Sequence, residues 1–374
     1  MGRAAVRPGP ALLNLPFTIL NRGAAAPRRR LNGFPVMRTP PPSSQHVRAV
    51  LMLLLANGCW GLSFPLIKAI AFTHQQLLPA SGSWFITTCT IAPRFLLAAA
   101  ILAVWQRGAL RGLTRSELRQ SAGLALFASA GMLFQNDGLQ FTSASTSAFL
   151  TQLYAIMIPV WVAVRRRRLP PAVVWASCVL VLAGVAVLGR FDWRALRFGR
   201  GEFETLISSL FFMGQILWLE RREFAGNRAI PVTFVMFALE AALFTALAAA
   251  QLAHGAPGVA EMPALVTSAP WLGFTLALTL FCTVAAFTLM NTWQPKITAT
   301  EAGLIYCLEP LFASLMALFL PGLFSVWAGF SYPNETVTLH LLVGGGLITA
   351  ANVLIQLKRL TPSDEGSWKI EDGR

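Results

Sequence analysis

The sequence predicts an all-α polytopic membrane protein: ten transmembrane helices in two inverted five-helix repeats, with both termini cytoplasmic. Three observations carry this prediction: long runs without charge, a lopsided placement of basic residues, and self-similarity at a shift of 155 residues. The 374-residue chain is 55% hydrophobic and only 12% charged, about half the charge of an ordinary soluble domain, and its mean hydropathy is +0.59. Residues 49–67, 138–164, 169–189, 262–295 and 336–357 contain no Asp, Glu, Lys or Arg. A helix that crosses the hydrocarbon layer needs ~20 such residues, whereas a soluble surface helix of that length shows a polar stripe.

The predicted spans run over 48–72, 84–105, 120–139, 144–164, 172–189, 201–219, 230–253, 270–290, 298–320 and 337–357. With the N-terminus inside, 24 of the 30 Lys and Arg residues fall on the cytoplasmic side, which is the bias that sets membrane orientation. Arg190, Arg194, Arg197 and Arg200 lie outside, and Lys68 and Arg94 lie within spans. The net charge of +14 therefore reads as topology, with no nucleic-acid partner implied. The five cysteines all sit in apolar runs without a CxxC spacing. They read as small core residues, with no metal, redox role or cofactor.

Residues 1–46 form a basic, Pro-rich arm that cannot build a core and is expected to be disordered. Its opening has the outline of a signal peptide, but Asn14 and Pro16 interrupt the apolar part, so it is read as a cytoplasmic arm. Met37 is an alternative start. Residues 47–190 and 200–357 are the two expected repeats, and 358–374 a cytoplasmic tail.

The 155-residue shift brings the third and fourth spans onto the eighth and ninth. Ser143-Ala144-Ser145 falls on Thr298-Ala299-Thr300, Asn136 on Asn291, and Tyr154-Ala155 on Glu309-Pro310. Each half then holds five spans. Five is odd, so the second half is inverted relative to the first, a plan that places a site near the midplane between the halves.

The motifs in their order resemble the EamA-like branch of the drug/metabolite transporter (DMT) superfamily, from about Val47 to Leu357. They are Trp60-Gly61-Leu62-Ser63-Phe64, Arg94-Phe95-Leu96-Leu97-Ala98, the run from Thr142 to Leu150, the run from Glu301 to Pro310, and Gly344-Gly345-Gly346 within the tenth span. The resemblance implies a permease for amino acids, related metabolites or drugs. The chain departs from the family pattern in three places. Ala155 stands where a proline is usual, and nearby Pro159 is expected to supply the kink. Arg165-Arg166-Arg167-Arg168 replaces a Gly-Glu turn. The matching turn of the second half is stretched over 321–337, with Asn334-Glu335 as its remnant.

An ionisable side chain at the centre of a membrane helix costs about 2.5–3.5 kcal/mol on insertion scales, so each one is a functional candidate. Arg94, Glu240 and Glu309 lie near span centres, while Lys68 and Glu220 sit near ends where they can snorkel. Asp137 falls in the outer third of the third span. Arg94 reads either as a solute ligand or as a structural clamp on backbone carbonyls. Glu309 reads either as a cavity-facing coupling and binding residue or as a cap on the helix break at Pro310. Glu240 has no motif around it.

Helical spacing puts Ser147, Thr151 and Tyr154 on one face of the fourth span and Ala302, Tyr306 and Glu309 on the equivalent face of the ninth. Thr87, Thr90 and Arg94 share a face of the second. Trp60, Ser63, Phe64 and Ile67 in the first span, with Ser208, Gln215, Phe211 and Trp218 in the sixth, add aromatic and polar groups. These faces serve either as a solute cavity or as polar glue between helices. Ser177, Gly184 and the glycines at 344–346 are small residues for close helix packing, compatible with a monomer or a homodimer.

A secondary transporter working by alternating access in the cell membrane fits these features best, its partners being the bilayer and a small solute. No GxxxxGK[ST] motif is present to bind ATP. A membrane-embedded enzyme needs clustered acids or histidines at membrane depth. Here the four histidines lie at span ends or in loops. A non-transporting receptor or assembly protein is the remaining alternative.

Overall fold

The computed structural model describes residues 43–142, 147, 150–167, 169–188, 199–254 and 262–360. The arm before residue 43, the tail beyond 360 and Arg190, Arg194 and Arg197 lie outside them. The described residues are 83% helix with no strand. In chain order the main helices are α1 (Ser43–Leu77), α2 (Ser83–Trp105), α3 (Arg115–Gly138), α4 (Tyr154–Arg166), α5 (Ala172–Leu188) and α6 (Arg200–Leu219). They continue with α7 (Ala229–Ala253), α8 (Ala269–Lys296), α9 (Ala299–Tyr306), α10 (Glu309–Ala317), α11 (Leu320–Ala328) and α12 (Leu339–Leu360). A short helix, Met262–Thr267, precedes α8.

By length and composition four helices can cross a membrane: α1, α2, α7 and α8. The bent run of α9, α10 and α11, with a 56° turn before α11, makes a fifth if taken as one span. The helices α4, α5 and α12 are apolar but shorter. The helices α3 and α6 gather charge at their ends, through Arg115, Glu117, Arg119 and Asp137 in one and Arg200, Glu202 and Glu204 in the other. Where the predicted spans are described they are largely helical, and length and hydropathy qualify four of them, or five with the bent run.

Three expectations are corrected. Residues 43–46, assigned to the disordered arm, belong to α1, which starts at Ser43 and continues past the predicted end at 72 to Leu77. The stretched 321–337 turn is helical in its first half, since α11 starts at Leu320. Asn334 Oδ1 then accepts from Gly322 N at 2.6 Å, and Glu335 N donates to Ala317 O at 2.8 Å, folding the rest back on the helix pair. The kink assigned to Pro159 lies elsewhere. Pro159 sits inside α4, and the break falls at Gln152–Leu153, directly before it begins.

That break has a counterpart. α9 ends at Tyr306 and α10 begins at Glu309, leaving Cys307–Leu308 as a turn. The two turns are 155 residues apart, the shift read from the sequence. Both are closed by a tightened backbone bond, Leu153 N to Leu150 O at 3.3 Å and Leu308 N to Ile305 O at 3.0 Å. Pro310 explains the second, because it has no N–H to continue the ladder. In the first, Ala155 N turns to Gln152 O at 3.0 Å, and Ser209 Oγ from α6 donates to Thr151 O at 2.9 Å. A side chain inserted into the ladder breaks a helix without a proline.

Helix pairing follows the same two-fold scheme. α2 packs on α7 and α5 on α12; α1 packs on α8, α9 and α10, while α6 packs on α3 and α4. The α5–α12 contact depends on glycine. A Cβ on Gly344 would stand 2.6 Å from Gly184 O, and one on Gly184 would stand 2.8 Å from Gly344 O. Backbone blocks the added atom in both cases, so the helices touch main chain to main chain. Ser177 Oγ extends the contact with a bond to Ala351 O at 3.2 Å.

One ion pair closes the end of the bundle where α3 begins. Glu117, in the first turn of α3 and outside the predicted span, completes a capping box with Thr114. It also takes Arg228 Nε at 2.7 Å and Nη2 at 3.0 Å. Arg228 in turn donates to the carbonyls of Ala109, Arg111 and Gly112, tying the two loops together.

Two predictions follow from this packing. Gly344→Ala is expected to separate α5 from α12 and cost about 1–3 kcal/mol by overpacking, read as a lower Tm of the purified protein. The Arg228 guanidinium holds the Glu117 carboxyl down at about 2, against an ordinary 4.5. Its contribution to stability is therefore complete above pH 4.5 and is lost as the pH falls toward 2. Glu117→Gln should lower Tm at neutral pH, and the gap from the wild type should close across that window.

Candidate functional site

A cavity of ≈ 120 Å³ opens where the two breaks face each other. This approaches the size of a void that admits one benzene ring, about 150 Å³. Polar and charged groups reach it from six helical segments: Ser63, Arg94, Gln135 and Asn136, Thr151 and Tyr154, Gln215, and Tyr306 and Glu309. Trp60, Ile67, Met132, Phe212, Ile216, Phe287 and Met290 supply its apolar walls.

Of the eleven residues picked out by sequence, eight line this cavity: Trp60, Ser63, Arg94, Thr151, Tyr154, Gln215, Tyr306 and Glu309. Three do not. Phe64 is half-buried on another face of α1. Ser147 is buried and sits 3.4 Å from Thr205 Oγ1 on α6, joining two helices. Trp218 lies at the far end of α6, where its Nε1 donates to Gln120 O at 3.0 Å and its ring packs on Phe127 and Phe224. Helical spacing carries no information on how deep along the bundle the breaks, and so the cavity, would fall.

Arg94 is held as a clamp on backbone and also lines the cavity. α8 contains a π turn at Leu280–Ala285, which inserts a residue and turns local carbonyls off the ladder. Arg94 Nη2 donates to Cys282 O at 3.0 Å and Nε to Thr283 Oγ1. The guanidinium is thus clamped on the π turn while it edges the cavity. Glu309 and Glu240 both lie within its electrostatic field. The nearby polar residues of the second-span face do other work: Thr90 bonds back to Ile86 O, and Thr87 meets Gln140.

The aromatic wall is interlocked. Trp60 meets Phe287 and Tyr306 edge-on, each with ring centroids 5.4 Å apart. Tyr306 OH donates to Gln294 Oε1 at 2.9 Å, and Gln294 Nε2 donates to Ile216 O at 2.9 Å. Gln135 Nε2 reaches Thr151 Oγ1 at 3.3 Å. Gln215 Nε2 is buried with no protein acceptor and is left facing the cavity.

Gln135, Asn136, Met132, Phe212, Phe287 and Met290 were not singled out as lining residues. The signal for Asn136 was present, since the internal repeat pairs it with Asn291. The others are ordinary apolar or amide residues that the packing of α3, α6 and α8 brings inward. Asp137, one position beyond Asn136, is fully buried but turned away, in an ion pair with Arg200. Arg200 also pairs with Glu204 at 2.8 Å.

The EamA-like transporter family matches residues 47–190, in agreement with the resemblance read from the motifs and with the DMT superfamily. No curated protein matches the chain. Among solved structures 29 chains match. One crystal structure aligns with a TM-score of 0.57 and 18% identity, over 84% of this chain and 99% of its own, which shows likeness of fold. The family match over 47–190 and the apolar helices together indicate a multi-pass membrane protein.

Tyr306→Phe is expected to lower Tm by the loss of one buried hydrogen bond, about 0.5–1.5 kcal/mol net, and more if Gln294 is left unsatisfied. The same variant tests the wall: if Tyr306 OH mattered only to the cavity, Tm would stay unchanged.

Proposed function

We propose that the protein is a secondary carrier that moves a small, amphipathic, amine-bearing solute across the cell membrane by alternating access. In this reading ten spans form two inverted halves, residues 47–190 and 200–357, with both termini in the cytoplasm. The observation that carries it is the cavity at the two matched helix breaks, with Glu309 and Arg94 at its edge and an aromatic wall beside them. Glu309 supplies the negative charge, for a cationic group of the solute or for a proton. Trp60, Phe287 and Tyr306 offer ring faces to an organic cation or to its apolar part. Arg94 sets the field, and Ser63, Gln135, Asn136, Thr151 and Gln215 orient the solute by hydrogen bonds.

The helix pairing supports the two-half reading. Each half lends its first helix to the other's broken helix, as α1 does to α9 and α10 and α6 to α4. Rocking one half against the other then changes which side reaches the breaks, the motion expected of inverted repeats. The positive-inside count supports the orientation.

The test is a thermal-shift screen of amines, amino acids and related metabolites on purified protein, followed by flux of each hit in proteoliposomes. Hits are expected to raise the wild-type Tm, to lose that effect in Glu309→Gln, and to move into vesicles down an imposed gradient. Binding that survives in Glu309→Gln would remove Glu309 from the site, and a folded protein that moves no hit would overturn the carrier reading.

A further inference from the structure

Glu240 lies at the middle of α7, fully buried, and neither carboxyl oxygen has a hydrogen-bond partner among the described residues. It stands outside the cavity, on a stretch of helix with buried Met236, Phe237, Ala241 and Phe244 around it. An ionised carboxylate in such surroundings has lost its water and received nothing in return. The helices packed on α7 are α2, α3 and α8. On α2 the titratable groups are Cys89 and Arg94, on α8 the group beside Arg94 is Cys282, and α3 has none between Arg119 and Asp137. Arg94 is the charge that acts on Glu240.

Arg94 therefore serves two carboxyls, Glu240 behind it and Glu309 in the cavity. One positive charge balances one negative charge. With both acids ionised the group would carry a net negative charge deep in the bundle, which the apolar interior opposes. One acid must hold a proton, and burial assigns it: Glu309 reaches the cavity, whereas Glu240 is fully buried with no hydrogen-bond donor among the described residues.

We propose that Glu240 is the proton site of this carrier, held as the neutral acid while Arg94 balances Glu309 and ionised when a cationic solute takes Glu309 over. This rests on the carrier reading above and adds its coupling. When the solute cation pairs with Glu309, the Arg94 charge is released toward Glu240. The O–H bond of the Glu240 carboxyl breaks, its electron pair stays on oxygen, and the proton leaves to water of the cavity past Arg94. The solute and Arg94 now face two carboxylates, and the site is again neutral. One proton leaves for each monovalent cation bound, so cation and proton exchange without net charge.

The test needs no solute. The infrared spectrum of the purified protein at neutral pH is compared with those of Glu240→Gln and Glu309→Asp in the region of the protonated carboxyl stretch. The wild type is expected to show a band that Glu240→Gln loses and that Glu309→Asp, which keeps the negative charge for Arg94 to balance, retains in place. Glu240→Asp is expected to displace the band, which reads the same site should the glutamine variant fail to fold. Wild-type and Glu240→Gln spectra that superimpose, or a band unmoved in Glu240→Asp, would overturn the proposal. The carrier reading fails separately: a protein that shows the band yet moves no solute keeps its proton site and loses its transport role. A protein that carries solute without the band loses only the proton site.

Discussion

Main-chain carbonyls inside an apolar bundle need donors, and two of them organise this protein. Thr151 O takes the hydroxyl of Ser209, and Ile305 O takes the side-chain amide of Asn57 at 2.8 Å. Each donor comes from the first helix of the opposite half. Where water is absent, an unanswered carbonyl costs far more than a hydrogen bond returns. A helix can break at membrane depth only if a neighbour supplies such a group. These bonds permit the two breaks, and the breaks create the room that Trp60, Arg94, Tyr154 and Glu309 line.

The same demand explains the π turn in α8. Arg94 cannot remain at the centre of the bundle without acceptors. The extra residue at Leu280–Ala285 turns Cys282 O and Thr283 Oγ1 toward it. The guanidinium is satisfied on one edge by fixed dipoles and keeps its charge for the two acids. A lysine would leave part of this arrangement unmet, since it lacks the planar fork of donors. Structural clamp and electrostatic centre are here one side chain seen from two sides.

Much of the helical architecture was legible in the chain, because hydrophobic runs and charge placement act locally and without regard to partners. The 155-residue repeat relates the two breaks, but the first was expected at Pro159 and falls at Gln152–Leu153, where no proline makes it. Ser209, in α6 and distant in sequence, does that work. Of the candidate site, Thr151, Tyr154, Tyr306 and Glu309 were readable as matched polar stripes. Phe287 and Met290 were not, because an apolar residue carries the same signal whether it faces lipid, core or cavity. Trp218 failed for the converse reason: its polar-aromatic face is used at the end of α6, on Gln120 and Phe224.

Legible in the chain alone were its apolar helices and the small number of ionisable groups among them. Those follow from the cost of placing charge and bare backbone in hydrocarbon, which each segment meets or fails alone. Packing between distant segments decided which faces open onto the cavity and which close on a neighbour. Glu240 and Glu309 look alike along the chain, each a lone carboxyl in an apolar run. The packing of α7 against α2 and of α1 against α10 places one at the cavity and leaves the other buried without a hydrogen-bond donor among the described residues.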